Sequence, residues 1–267
     1  MKTLTVVATP IGNLNDITPR MKQALESADL LLAESISATQ RLCSHLGIQT
    51  PPIKRYWSKT EKTVHTYLEK SHEAHIVLIS DAGTPCISDP GYQIVKLFHE
   101  KGWLVKTVVG PCAAIAALSI SGLPSDQFTF YGFLSAKREA RKSFLNNLSK
   151  GSSTWIAFES PRRILDLTKD VCDLLGDDYI IAIVKEISKI HETVYRGTAE
   201  SVLQQLSQST LKGEYVLIGA PIQNKPDWVP CATALNKRLG INEAASITAN
   251  IYKISKNTTY NYLKENS

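Results

Sequence analysis

No apolar run in this chain approaches the ~20 residues needed to cross a bilayer. The apolar N-terminal segment Leu4–Ala8 is too short for a secretory signal and is broken at once by Pro10 and Gly12. A soluble, cytoplasmic protein is expected. No two of the five cysteines (Cys43, Cys86, Cys112, Cys172, Cys231) form a C-x-x-C pair. Neither a zinc site nor a thiol redox motif is signalled, so no metal is expected and the thiols read as reduced and packed. The sequence contains no G-x-G-x-x-G and no Walker A string, which disfavours a standard dinucleotide or nucleoside-triphosphate site. Internal repeats and low-complexity tracts are missing too. Charge is modest: a net +5 and a pI near 8.8 permit an RNA partner without demanding one.

What the chain does contain is an alternation of strand and helix over its first half. Leu4–Ala8, Ala28–Ala33, Ile76–Ile79 and Leu104–Val109 read as buried strands. Between them lie helices from Asp16 or Thr18 to about Ser27, then 38–46, 60–71 and 92–100. This is the pattern of a parallel sheet with crossover helices. Three of the strands end in small-residue loops, around Pro10, Gly83 and Gly110. In a parallel sheet those ends share one edge, where open α/β sheets bind ligands. Ile76 to Tyr92 concentrates the signal: an apolar strand, then Asp81-Ala82-Gly83-Thr84-Pro85, then Ser88-Asp89-Pro90-Gly91. Asp89 is expected to cap the next helix, with Pro90 at its first position.

Ser119 to Pro124 reads as a seam, after which the pattern mixes strands and helices with some antiparallel pairing. A third section follows a linker near Asn224-Lys225-Pro226 and carries three short apolar-periodic segments. From Lys225 onward six basic side chains stand against three acidic ones, interleaved with tyrosines. Either a phosphate-binding appendage or a solvated helical cap fits that pattern. The expected fold is α/β: an N-terminal α/β domain over 1–118, a second α/β domain over 119–222, and a basic helical tail over 223–267.

Several strings together resemble one family. Val7-Ala8-Thr9-Pro10-Ile11-Gly12-Asn13-Leu14, Ser80 to Gly91, Gly110-Pro111-Cys112-Ala113-Ala114, Gly122 to Asp126 and Lys212-Gly213-Glu214 stand in the order of the ribosomal RNA small subunit methyltransferase I family. These are 16S rRNA (cytidine-2′-O)-methyltransferases of the tetrapyrrole methylase class, and the resemblance spans nearly the whole chain. It implies two α/β domains with S-adenosylmethionine in the cleft between them, a homodimer, and 16S rRNA in the small ribosomal subunit as partner. Carried onto this chain, the donor would meet Pro10, Asp81, Gly83, Thr84 and Ile87, with Ala113, Ala114, Phe158, Val184 and Glu214 opposite. For Ile87, Phe158 and Val184, ordinary core packing is the competing reading.

One segment departs from the family's pattern. The usual Ala-Glu-Asp-Thr-Arg is here Ala33-Glu34-Ser35-Ile36-Ser37, which puts substrate choice or catalysis in question rather than donor binding. Charged groups at strand ends, Glu34, Glu159, Lys185 and Glu186, are candidates to take the proton of a ribose hydroxyl or to lower its pKa. Of these, Glu34, Lys185 and Glu186 are the expected catalytic set, against the alternative of a structural ion-pair network. Lys137, Arg138, Arg141, Lys142, Arg162 and Arg163, with Lys253 and Lys256 in the tail, are the expected RNA-facing cations. A methyltransferase acting on a small tetrapyrrole-like molecule, or a donor-binding relative without turnover, are the competing functions.

Overall fold

Thr3–Val7 (β1) lies between two neighbours in a five-stranded, all-parallel sheet. The other strands are Leu30–Ala33 (β2), Ile53–Arg55 (β3), His75–Leu78 (β4) and Leu104–Val108 (β5), in the order β3-β2-β4-β1-β5. The molecule is seen in a computed structural model that describes residues 1–57, 59–148, 153–222, 228–252 and 254–265. Its contacts divide the chain into two compact units. One is Met1–Asn146 with Ser153–Pro221; the other is Asn147–Ser152 with Ile222–Ser267.

The apolar strand runs are explained by burial on both faces. Val7, Leu31 and Val77 pack with Met21, Leu25 and Cys43 on one side. Leu4, Leu32, Ile76 and Leu78 pack with Val64, Leu68, Ile94 and Phe98 on the other. These partners come from the crossover helices Pro19–Glu26 (α1), Ile36–Leu46 (α2), Glu61–Lys70 (α3) and Tyr92–Glu100 (α4). Thr18 caps α1 by accepting the Met21 amide at 3.1 Å, with Pro19 at the first position as expected. Gly47 ends α2 in the left-handed conformation, φ +64°.

The helix start expected at Asp89 and Pro90 is not observed. α4 begins at Tyr92, its N-cap is Gly91 at φ +149°, and no side chain caps it. Asp89 is instead half-buried and bonded to the Ser80 side chain. A Cβ at Gly91 would lie 2.5 Å from the Cys86 sulfur and 3.0 Å from Leu78, so the tight packing of the loop, not local capping preference, sets the start.

The second sheet of this unit has the order β6-β7-β10-β8-β9, with β6 Phe128–Phe133, β7 Thr154–Glu159, β8 Ile180–Lys185, β9 Thr193–Thr198 and β10 Tyr215–Gly219. Only β6 and β7 pair in parallel, so the expected antiparallel content is present. Ala113–Ser121 (α5) is rich in small side chains. It lays Ala114, Ala117 and Leu118 on Ile156, Ala182, Val184, Val216 and Ile218 of this sheet. The chain thus leaves the first sheet at Gly110–Cys112, ahead of the seam read at Ser119–Pro124. The helices Arg138–Leu148 (α6), Ile164–Leu175 (α7) and Ala199–Ser207 (α8) complete the layer.

Arg141 of α6 does not face solvent. It is 4 % exposed, and its guanidinium makes two bonds, 2.8 and 2.6 Å, to the buried Asp170 of α7. It cannot belong to an RNA-facing set. Its helical position one turn before the fully buried Leu145 turns it inward.

The other unit contains three helices, Val229–Leu239 (α9), Ile241–Tyr252 (α10) and Lys256–Glu265 (α11). They close around Ala232, Ala244 and Leu263, with Trp228 edge-on to Tyr262. Lys256 is exposed at the start of α11, while Lys253 and the linker at 224–226 lie outside the described residues. No described helix is long and apolar enough to cross a membrane.

Candidate active site

The three small-residue loops meet, as a shared sheet edge requires. Thr9, just past β1, exchanges both backbone hydrogen bonds with Gly83, past β4. The Thr84 hydroxyl donates to the Pro111 carbonyl, past β5, at 2.9 Å. Gly83 is needed for this closure: its φ is +82°, and a Cβ there would come 3.2 Å from the Ile11 side chain.

Against this edge lies a cavity of about 330 Å³, a size suited to a small organic ligand. The first sheet contributes Ile11, Ala82, Gly83, Thr84, Ile87 and Asp89. The second contributes Phe133, Phe158, Glu159, Ser160, Glu214 and Val216, with Cys112 and Ala113 between. Ile87 is 40 % and Phe133 61 % exposed, so large apolar side chains stand open at its walls. Bare backbone, apolar side chains and the Asp89 carboxylate together suit a ligand that is part apolar and part cationic, while Glu214 on the same wall is paired with Lys189 at 2.9 Å.

Glu34, at the end of β2, stands beside this edge. Burial, and next the charges of Asp89 and Asp81, push its carboxyl up from the usual 4.5, while the Asp81 amide donates to it and opposes the rise. Burial likewise pushes Asp89 up. A second cavity of about 340 Å³ is lined by Thr9, the partner of Gly83, and among others by Pro10, Arg41, His45, Ser80 and Asp81.

Residues 3–203 match the family model described as Tetrapyrrole (Corrin/Porphyrin) Methylases. The chain is 39 % identical to the Ribosomal RNA small subunit methyltransferase I of Haemophilus influenzae, over 97 % of this chain and 95 % of that one. It is 37 % identical to the protein of the same name from Escherichia coli O157:H7, over 98 % and 94 %. The chain belongs to the ribosomal RNA small subunit methyltransferase I family. Solved structures of the same fold include the Thermus thermophilus uroporphyrin-III-C-methyltransferase, with TM-score 0.57, 16 % identity and coverage of 83 % of this chain and 96 % of that one. Diphthine synthase gives TM-score 0.59 at 13 % identity, covering 82 % and 90 %.

In this chain the positions implied by resemblance divide. Gly83, Thr84, Ile87, Ala113, Phe158 and Glu214 line the first cavity. Pro10 and Asp81 line the second. Ala114 of α5 and Val184 of β8 are buried in the core between that helix and the second sheet. The expected catalytic residues divide too. Glu34 is at the edge, whereas the Lys185 amine donates to the Thr210 carbonyl at 2.7 Å. The Glu186 carboxylate accepts from Lys189 and from the Glu214 amide, and the Lys189 bond holds it below the usual range.

Of the expected cations, Arg162, Lys137 and Arg138 are exposed. Arg138 reaches Asp170, and Arg163 is held by the buried Glu159 at 2.6 Å and by the Leu134 carbonyl. Sequence reasoning missed Asp89 as a cavity residue because Asp-Pro reads as a helix start. It missed Arg41 and His45 because α2 shows only an ordinary amphipathic face. Their spacing of one helical turn was the available signal.

The departing segment has a structural job in this chain. Ser35 accepts the Ala38 amide at 3.2 Å as N-cap of α2, and donates its own amide to Asp81 at 3.2 Å.

Proposed function

We propose that this chain methylates the 2′-oxygen of a cytidine ribose in 16S rRNA of the small ribosomal subunit, using S-adenosylmethionine. The observation that carries the reading is the cavity walled by the Gly83, Ala113 and Ile11 loops on one side and Phe158 and Glu214 on the other. The names of the relatives support the RNA substrate. When bound, S-adenosylmethionine supplies an electrophilic methyl group on a sulfonium.

The residues fit such a donor. Ile87, Phe133 and Phe158 offer apolar faces, the Gly83 backbone allows close approach, and Asp89 is a carboxylate on the wall that no ion pair engages among the described residues. The loops' part is alignment and exclusion of water. Glu34, already shifted toward a higher pKa, takes the proton of the attacking hydroxyl. Lys185 and Glu186 position the β8 end through their bonds to Thr210 and to the Glu214 amide. Arg162, Lys137, Arg138, Lys253 and Lys256 remain the proposed RNA contacts, with a cytoplasmic homodimer as the working form.

The changed Ser35-Ile36-Ser37 segment is what favours a relative without turnover. Ser35 caps α2 and donates its amide to Asp81, so the residues present support that corner. The test incubates the protein with methyl-labelled donor and small subunits from cells missing this activity, then digests the RNA. Label in 2′-O-methylcytidine is expected. No label, or label on a base, overturns the proposal.

A further inference from the structure

The second cavity stands a single backbone pair away from the first. Ser80 and Asp81 face it, while Ala82, Gly83 and Thr84, the next residues along, face the donor side. Its polar groups differ in how far they are already engaged. The Thr9 hydroxyl donates to the Ser80 carbonyl, and the Ser80 hydroxyl to Ala82 and Gly83 carbonyls. Asp81 accepts the Ser35 amide on Oδ1, and among the described residues no hydrogen bond reaches Oδ2. Arg41 and His45, one turn apart on α2, line the cavity, are exposed, and have no hydrogen bond or ion pair among the described residues. What remains for a ligand is thus one carboxylate oxygen, one guanidinium and one imidazole.

We propose that this cavity receives the acceptor cytidine, with Asp81 Oδ2 accepting a hydrogen bond from the base's exocyclic amine and Arg41 and His45 holding a flanking phosphate. The inference rests on the function proposed above and names where its acceptor binds. An acidic side chain is the natural reader of cytosine N4, whereas uracil presents an acceptor oxygen at that place and is repelled. A guanidinium and an imidazole N–H can both donate to phosphate oxygens. A cavity enclosing one nucleotide requires it to be splayed out of its neighbours' stack, the usual mode of sequence-specific RNA recognition. Glu34 lies at the junction: its carboxyl accepts the Asp81 amide and feels Asp89, which lines the donor cavity. A ribose hydroxyl carried by a base bound at Asp81 is therefore delivered to the boundary between the two cavities.

Asp81→Asn is the decisive variant. The Ser35 amide selects the side-chain oxygen at Oδ1, so the new NH₂ takes the place of Oδ2 and becomes a donor. Binding is read by NMR titration of cytidine and uridine 5′-monophosphates in the presence of S-adenosylhomocysteine. Wild type should prefer the cytidine nucleotide by roughly tenfold, and Asp81→Asn should lose or reverse that preference. Arg41→Ala with His45→Ala should weaken both nucleotides alike and raise the KM for small subunits, with kcat and S-adenosylhomocysteine affinity unchanged. Equal preference in wild type, or a preference untouched by Asp81→Asn, overturns the proposal. Because the titration needs no turnover, it decides the point even if no methyl transfer to RNA is found, an outcome that would instead defeat the function proposed above.

Discussion

Thr9 and Gly83 form a reciprocal backbone pair: the Thr9 amide donates to the Gly83 carbonyl at 2.9 Å, and the Gly83 amide donates to the Thr9 carbonyl at 3.0 Å. The pair ties the loop after β1 to the loop after β4; Thr9 lines one cavity and Gly83 the other. Gly83 holds φ at +82°, a value that costs a side-chain-bearing residue of order 1–3 kcal/mol. Gly83→Ala should therefore lower the melting temperature and weaken S-adenosylhomocysteine binding by roughly tenfold or more. Calorimetric titration beside a thermal melt checks both. Unchanged affinity would show that the pair does not shape the donor cavity.

The Arg141–Asp170 pair makes a stability prediction. Both side chains are buried, 5 % and 1 % exposed, at 2.6 Å. Removing one partner of a buried pair leaves an uncompensated charge and costs about 3–5 kcal/mol. Arg141→Ala should show that loss in urea unfolding. Replacing both, Arg141→Met with Asp170→Leu, should recover most of it. RNA affinity per folded molecule should not change in the double variant, because Arg141 does not reach the surface.

Glu34 and Asp89 predict pH behaviour. Burial first, and then neighbouring carboxylates, raise both above their ordinary values of 4.5 and 3.8. A base that must be ionised makes activity climb with pH through its own pKa. The acid limb of the rate profile should therefore lie above 4.5, and Glu34→Gln should abolish the limb along with most of the rate. The folded state holds these protons more tightly than the unfolded state does. Their contribution to stability is therefore largest at low pH and declines as pH rises through the folded values. Asp89→Asn should accordingly raise the melting temperature at pH 7 and leave it little changed at pH 4.

Lys189 predicts a local shift. Its amine bonds Glu186 at 2.8 Å and Glu214 at 2.9 Å, and its stem lies over Gly12, where a Cβ would come 2.4 Å from Lys189 Cγ. Lys189→Met should return the Glu186 carboxyl toward its ordinary range, since the Lys189 bond is the largest cause of its depression. A carbon-detected NMR titration of the glutamate carboxyls measures this directly.

Much of the fold was legible because its signals are local. Buried parallel strands need apolar runs, and Ile76 to Leu78 is one; Thr18-Pro19 and Gly47 mark helix ends by their own chemistry. What was not legible depended on partners distant in sequence. Asp89-Pro90 reads as a helix start until Cys86 and Leu78 crowd Gly91 and delay it. The Lys137 to Lys142 charge run conceals one arginine that Asp170, a residue of another helix, draws inside. The helix α5 belongs to the second sheet, because its small side chains fit under Val184 and Val216, and nothing in Ala-Ala-Ile-Ala-Ala names that partner. The donor-side loops were visible as small-residue strings. The division of their residues between two cavities was not, because it turns on the Thr9–Gly83 pair.

The most direct measurement is calorimetric titration of S-adenosylhomocysteine into the wild-type protein and into Ala113→Trp, a variant that fills the cavity between the two sheets. Binding at one site per chain in wild type, and its loss in a variant that melts as a folded protein, is the predicted result. No binding to wild type, or equal affinity in the filled variant, would contradict the placement of the methyl donor against these loops.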